Sequence, residues 1–214
     1  MLIQKFHAAL YPSESPAVAA TGAKLFSHQG HWDGGSTLHC VAMALALLGK
    51  IGDPVWLPYH EDGAERAVWD HAWPHYLHGL TLSELASFIA ELNIGVRPVM
   101  RDGSVASILR FSERELAAGN PVIVGWNQPH PVSAHAALVV GVEGLQNGRS
   151  FDAHSLLLLD PACNAPVLAG FNARLDRHGD EGTIYRSSNA ARAICLRGVV
   201  SIGAIATGDT ATAA

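Results

Sequence analysis

The chain has 214 residues, of which 49% are apolar and 15% charged, with a net charge of -5. That length suits one large domain or two small ones, with enough apolar residue to bury a substantial core. Only 14 residues are Lys or Arg, and they form neither a basic run nor a basic-aromatic stripe, which argues against a nucleic-acid partner.

Lys5 and His7 lie near the start, with Pro12 and Pro16 close behind. Neither a secretory apolar core nor a membrane span is expected, and the chain reads as cytoplasmic. Residues 1–35 are rich in Pro, Ser, Gly and Ala and predict an irregular wrap with a short helix near 17–26. The run Gly34-Gly35-Ser36-Thr37 then leads to Cys40 and the apolar stretch 41–48, which reads as a buried helix capped by Gly49. A thiol in the first turn of that helix meets unpaired amides and the positive end of the macrodipole. Such a cysteine can have its pKa lowered to roughly 3.5 to 7.5, as a nucleophile requires. The plainer alternative is a small buried hydrophobe.

Segment 53–79 is rich in Trp and His and is broken by Pro54, Pro58 and Pro74, and its pattern does not disclose which elements it forms. His71, His75 and His78 could share a helical face and bind a metal, but Pro74 interrupts that helix. His28, His31 and Asp33 make a weaker cluster. No metal or cofactor is expected. Thr81-Leu82-Ser83-Glu84 supplies a capping box, followed by Leu85, Ala86, Ile89 and Leu92 on one helical face with Leu82. An extended piece at 96–100 follows. A second capping signature, Ser112-Glu113-Arg114-Glu115, opens a brief helix that stops at Gly119-Asn120-Pro121.

Short apolar runs at 122–126, 136–142, 155–160 and 193–202 read as strands. Helices first and a sheet afterwards predict an α+β domain over 1–206, with the small-residue run 207–214 as a disordered tail. The cysteines Cys40, Cys163 and Cys195 are widely spaced and lack a Cys-x-x-Cys pair, so neither a disulfide framework nor a zinc knuckle is indicated. Cys163 and Cys195 read as structural.

Asn147-Gly148 lies between two of the strands and is a strong signal for a two-residue hairpin turn. With Gln146 facing Arg149, Val140 faces Ser155, Leu138 faces Leu157 and His135 faces Asp160. Opposed residues project from one face roughly 4.5 to 5.5 Å apart, which allows an imidazole-carboxylate hydrogen bond. Bulges at Gly141 or Gly144 would shift that register. His130, between Pro129 and Pro131, is a competing base that reads better as a rim residue.

A Cys at a helix start, a His at a strand start and an Asp at the end of the neighbouring strand meet the needs of nucleophilic catalysis. Cys40 with its apolar helix, Thr81-Leu82-Ser83-Glu84-Leu85, Gly119-Asn120-Pro121-Val122-Ile123-Val124, His135-Ala136-Ala137-Leu138-Val139-Val140-Gly141 and Leu157-Leu158-Leu159-Asp160-Pro161 together resemble the C39 peptidases and their C39-like relatives. The resemblance spans roughly 29–165. It implies a papain-like fold, with N-terminal helices packed on an antiparallel sheet, and Cys40 as nucleophile, His135 as base and Asp160 as orienting acid.

The family places a glutamine a few residues before its cysteine as an oxyanion donor. Here Gly34 stands six before Cys40, and Gln29 is the nearest upstream glutamine. The family's Asp-Cys-Gly-Pro is replaced by His39-Cys40-Val41-Ala42. Expected partners are a peptide or amide substrate. The expected activity is cysteine-dependent hydrolysis, with acyl or amide transfer, or a catalytically silent peptide-binding module, as alternatives.

Overall fold

Among the described residues every regular element from Val122 onward is a strand, and apolar, often β-branched runs punctuated by glycines where the ladder must bend account for Val122–Pro129, Val132–Asn147, Ser150–Leu159 and the end of Ala191–Ala204. The computed structural model describes residues 1–30, 35–129, 132–179 and 182–205, with side chains described at all of these except 128, 129, 132 and 133. The expected tail at 207–214, together with His31, Asp33 and His130, lies outside the described residues.

In chain order the elements are β1 (Leu2–Phe6), β2 (Leu10–Tyr11), β3 (Ala17–Val18), α1 (Ser36–Leu47), α2 (Gly63–Ala72), α3 (Leu82–Glu91), β4 (Val96–Arg101) and α4 (Val105–Ala117). There follow β5 (Val122–Pro129), β6 (Val132–Asn147), β7 (Ser150–Leu159), β8 (Ala173–His178), β9 (Gly182–Ser187) and β10 (Ala191–Ala204). Strands β5 to β10 pair in sequence, and β10 returns to pair with β5, closing a six-stranded antiparallel barrel. Two further strands extend it, β1 on β6 and β4 on β10. The α+β, papain-like expectation is therefore corrected: the described residues are mostly β, a closed barrel with two added strands, a separate two-stranded β2–β3 sheet and four short α-helices.

Closure depends on strands that the hydropathy pattern does not reveal. β8 reads Ala-Arg-Leu-Asp-Arg-His and β9 reads Gly-Thr-Ile-Tyr-Arg-Ser, so each carries only two apolar side chains among polar residues, and neither makes an apolar run. β10 is long enough to pair with β9 through Ala191–Ile194, with β5 through Cys195–Ser201 and with β4 through Val199–Ala204.

The helix expected near 17–26 is replaced by β3. The helix expected from Ser112 begins earlier, at Val105, where the Ser104 hydroxyl caps the amide of Ser107 at 3.3 Å. In α3 the capping box forms as its residues dictate, with Glu84 accepting from the Thr81 amide at 2.8 Å.

Alternate residues of β6 serve two cores. Ala136, Leu138 and Val140 pack with α1, whereas Ala137, Val139 and Val142 join Trp126, Leu158, Leu175 and Tyr185 in a second cluster. Every residue of α1 is buried. Each fully buried aliphatic side chain here contributes about 1.5–3 kcal/mol. The polar start of so deeply buried a helix survives because its hydroxyls are partnered: Ser36 Oγ accepts from the Ala136 amide at 3.0 Å and Thr37 Oγ1 from the Leu80 amide at 3.0 Å.

Candidate active site

The β6–β7 hairpin turns on Gly148 and Arg149, with Asn147 opposite Ser150, one residue later than the Asn147-Gly148 turn expected from sequence. Two bulges follow. His154 is the extra residue on β7 and Val140 the extra residue on β6, so their shifts cancel. The ladder ends with Leu138 opposite Leu159. His135 and Asp160 are thus not directly opposed; continuing the same register sets Asp160 level with Ala137, two positions from His135. A shift of two preserves the face, and the side chains meet diagonally, His135 Nε2 lying 2.8 Å from Asp160 Oδ1.

Asp160 sits at the point where β7 leaves the sheet, and its side chain is 2% exposed. Tyr185, from β9, donates to Oδ2 at 2.7 Å, and the Ala162 amide donates to Oδ1 at 2.9 Å. Asn172 clamps the backbone here, accepting from the Asp160 amide at 2.7 Å and donating to its carbonyl at 3.0 Å. Burial pushes the Asp160 carboxyl up. The bonds from His135 and Tyr185 and the charge on His135 more than offset this, and its pKa lies below the ordinary carboxylate value. Tyr185 moves the other way: burial, then the adjacent Asp160 charge, raise its pKa, so the hydroxyl stays protonated and keeps donating.

The same termination of β7 explains Ser36. Beyond the last β6–β7 pair the Ala136 amide has no strand partner on that side, and the Ser36 hydroxyl fills the gap. Ser36 is the first residue of α1, after a Gly35 N-cap whose site carries no side-chain cap. A hydroxyl there sits among first-turn amides at the positive end of the macrodipole, held against the backbone of the residue that follows His135.

Both groups open onto a cleft of about 750 Å³ walled by the start of α1, loop 78–81, the start of α3, β5 and β6. The imidazole packs edge-on against Trp126, its centroid 4.9 Å away, which fixes the ring plane. With Nε2 committed to Asp160, Nδ1 is the nitrogen left for a reacting group. Gln29 also lines the cleft, its backbone N–H donating to the Pro161 carbonyl at 2.8 Å, next to Asp160.

Cys40 stands elsewhere. Because α1 starts at Ser36, the thiol belongs to the second helical turn, is 0% exposed and does not line the cleft. It packs in the α1 core with Ala136 and Leu138, across β6 from the Trp126 and Tyr185 side to which His135 turns. The expected quartet therefore divides. Gln29, His135 and Asp160 gather at one end of the barrel, and Cys40 lies in the core.

Sequence reasoning missed Ser36 and Tyr185. Ser36 had a signal: it follows the last glycine before the helix, which is where a helix start belongs. Tyr185 had none, because β9 was not legible. Cys163, in the loop after β7, adds a thiol 3.1 Å from the Tyr185 hydroxyl, and burial followed by the charge on Asp160 raises its pKa. Among the described residues no group of three or more His, Cys, Asp or Glu is arranged to hold a metal, and no helix is long and apolar enough to cross a membrane. No family model and no curated protein matches this chain.

Proposed function

We propose that the chain is an acyl-transfer enzyme acting on peptide or amide carbonyls, with His135 as base, Asp160 as its orienting acid and Ser36, in place of Cys40, as nucleophile. The observation that carries this reading is the buried imidazole-carboxylate bond of 2.8 Å at the wall of a cleft that also presents a helix-start hydroxyl. Such a triad is recognised by geometry and roles rather than by sequence order.

In the proposed reaction the Ser36 oxygen attacks the carbonyl carbon while its proton passes to His135 Nδ1. The resulting imidazolium is stabilised by Asp160. Amides of the first turn of α1 and the Gln29 side chain are the candidate donors to the oxyanion. The carbon-nitrogen bond then breaks, and the leaving amine takes the proton from His135. Water attacking the acyl-Ser36 ester releases an acid, giving hydrolysis; an amine attacking it gives transfer.

The test is intact-protein mass spectrometry after exposure to an alkyl fluorophosphonate and, separately, to iodoacetamide. One phosphonyl adduct is expected, located at Ser36 and lost in Ser36→Ala and His135→Ala. Iodoacetamide should reach the exposed Cys195 and spare Cys40 in the native state. An adduct that survives Ser36→Ala refutes the serine. Native alkylation of Cys40 would restore the thiol, and no adduct in any form would leave the cleft as the peptide-binding site of a silent module.

A further inference from the structure

The β10–β5 ladder is broken at one residue. Leu196 faces Trp126 and Gly198 faces Gly125, so Arg197 is the bulged residue between them. The bulge is written into the sequence: Gly198 has φ +147°, and a Cβ there would come within 2.7 Å of the Arg101 carbonyl oxygen, so no other residue fits. A bulge re-aims its side chain, and Arg197 lines the cleft shared by Ser36 and His135.

Asn127 holds the guanidinium. With its amide turned so that the oxygen faces Arg197, that oxygen lies 3.3 Å from both Nε and Nη2. A neutral amide orients the fork without cancelling its charge. Among the described residues no carboxylate forms an ion pair with Arg197, unlike Arg174 and Arg186, which are paired with acids. Among the described residues Arg197 is also the one Lys or Arg lining the cleft, and Glu84 lines it too. A single oriented fork matches a monoanionic carboxylate bidentately; a phosphate dianion calls for more positive charge than this wall supplies.

We propose that Arg197 is the substrate anchor of this cleft and that the substrates carry a free carboxylate, as a peptide with its terminal acid or an N-acyl amino acid does. The inference deepens the acyl-transfer reading and rests on the cleft being its reaction site. Binding nevertheless tests it without turnover.

The full chain is titrated with hippurate, hippuramide and inorganic phosphate while the tryptophan indole resonances are followed by NMR. Hippurate should bind at least roughly tenfold tighter than its neutral amide, and tighter than phosphate. In Arg197→Gln that ratio should fall to near one, with Arg197→Lys between the two. Arg197 is exposed, so thermal unfolding of both variants should match the parent. Equal binding of acid and amide, a ratio that survives Arg197→Gln, tighter binding of phosphate, or no saturable binding of hippurate overturns the anchor. Loss of the fluorophosphonate adduct with the carboxylate preference intact removes only the enzyme reading. The reverse pattern removes only the anchor.

Discussion

The acid of the proposed triad is held by more donors than catalysis alone requires. Asp160 is 1% exposed and accepts from His135, Tyr185 and the Ala162 amide. Removing one donor strands part of a buried charge, so Tyr185→Phe should cost about 1.5–3 kcal/mol in urea unfolding. It should also slow phosphonylation of Ser36, because Oδ1 loses its fixed aim at the imidazole. A loss below about 0.5 kcal/mol would mean the hydroxyl does not stabilise the carboxylate. The pH dependence follows from the same bonds. Although burial pushes the Asp160 carboxyl up, its donors set its folded pKa below the unfolded one. Its contribution is therefore complete above the unfolded value near about 4 and is lost as pH falls through the folded value. Unfolding measured from pH 6 down to pH 2 should show parent stability falling more steeply than that of Asp160→Asn; parallel curves would contradict the depressed pKa.

At the scale of elements, α1 decides which polar atom reaches the cleft. Its N-terminus is pinned by a glycine pair: a Cβ on Gly35 would lie 2.8 Å from the Gly79 Cα, and backbone cannot yield as a side chain does. Gly35→Ala should therefore cost about 1–3 kcal/mol and slow Ser36 labelling by roughly tenfold or more, since a displacement near 1 Å is enough for that. Cys40→Ala, a change one turn deeper, should cost about 1 kcal/mol through lost packing and leave labelling within twofold of the parent. Labelling lost with Cys40→Ala and kept with Gly35→Ala would reverse the assignment. The same helix marks the limit of what sequence discloses. Hydropathy locates the apolar stretch after Cys40, but Ser36 and Thr37 are polar, and only their tertiary partners, the Ala136 and Leu80 amides, admit them to a buried first turn. The β6–β7 hairpin was legible in kind, because Asn-Gly and two apolar runs are local signals. Its glycines also marked the places for bulges, and the register does shift beside Gly141 and beside Gly144. That the two shifts fall on opposite strands and cancel was not legible, since it depends on tertiary neighbours: Gly141 carries β1 beside it, with the Lys5 carbonyl oxygen 2.8 Å from where a Cβ would stand.

For the whole molecule, closure is what the sequence concealed and what stability should reveal. β5 and β10 pair across a long separation in the chain, and nothing local to either announces the other. Once closed, β6 is bounded by β5 through Val132–Val139 and by β7 through Leu138–Asn147, and β1 lies along its 141–145 stretch. Its central residues, Ala136 to Val140, are buried to 1% exposure or less. Amides there have no route to water short of opening the barrel. β1 and β4 each pair with a single strand, and both expose apolar side chains, Leu2 at 58% and Met100 at 44%. Local opening needs only that single ladder to part, so its free energy should fall well below the global value. Hydrogen exchange read by mass spectrometry should show peptides covering 136–142 and 199–202 exchanging last and together, with β1, the outer side of β4 and the 57–75 segment exchanging first. Peptides of β1 as protected as those of β6 would mean that the added strands belong to the same cooperative unit as the barrel, and that the cleft wall built from β5, β6 and β10 draws its rigidity from them as well.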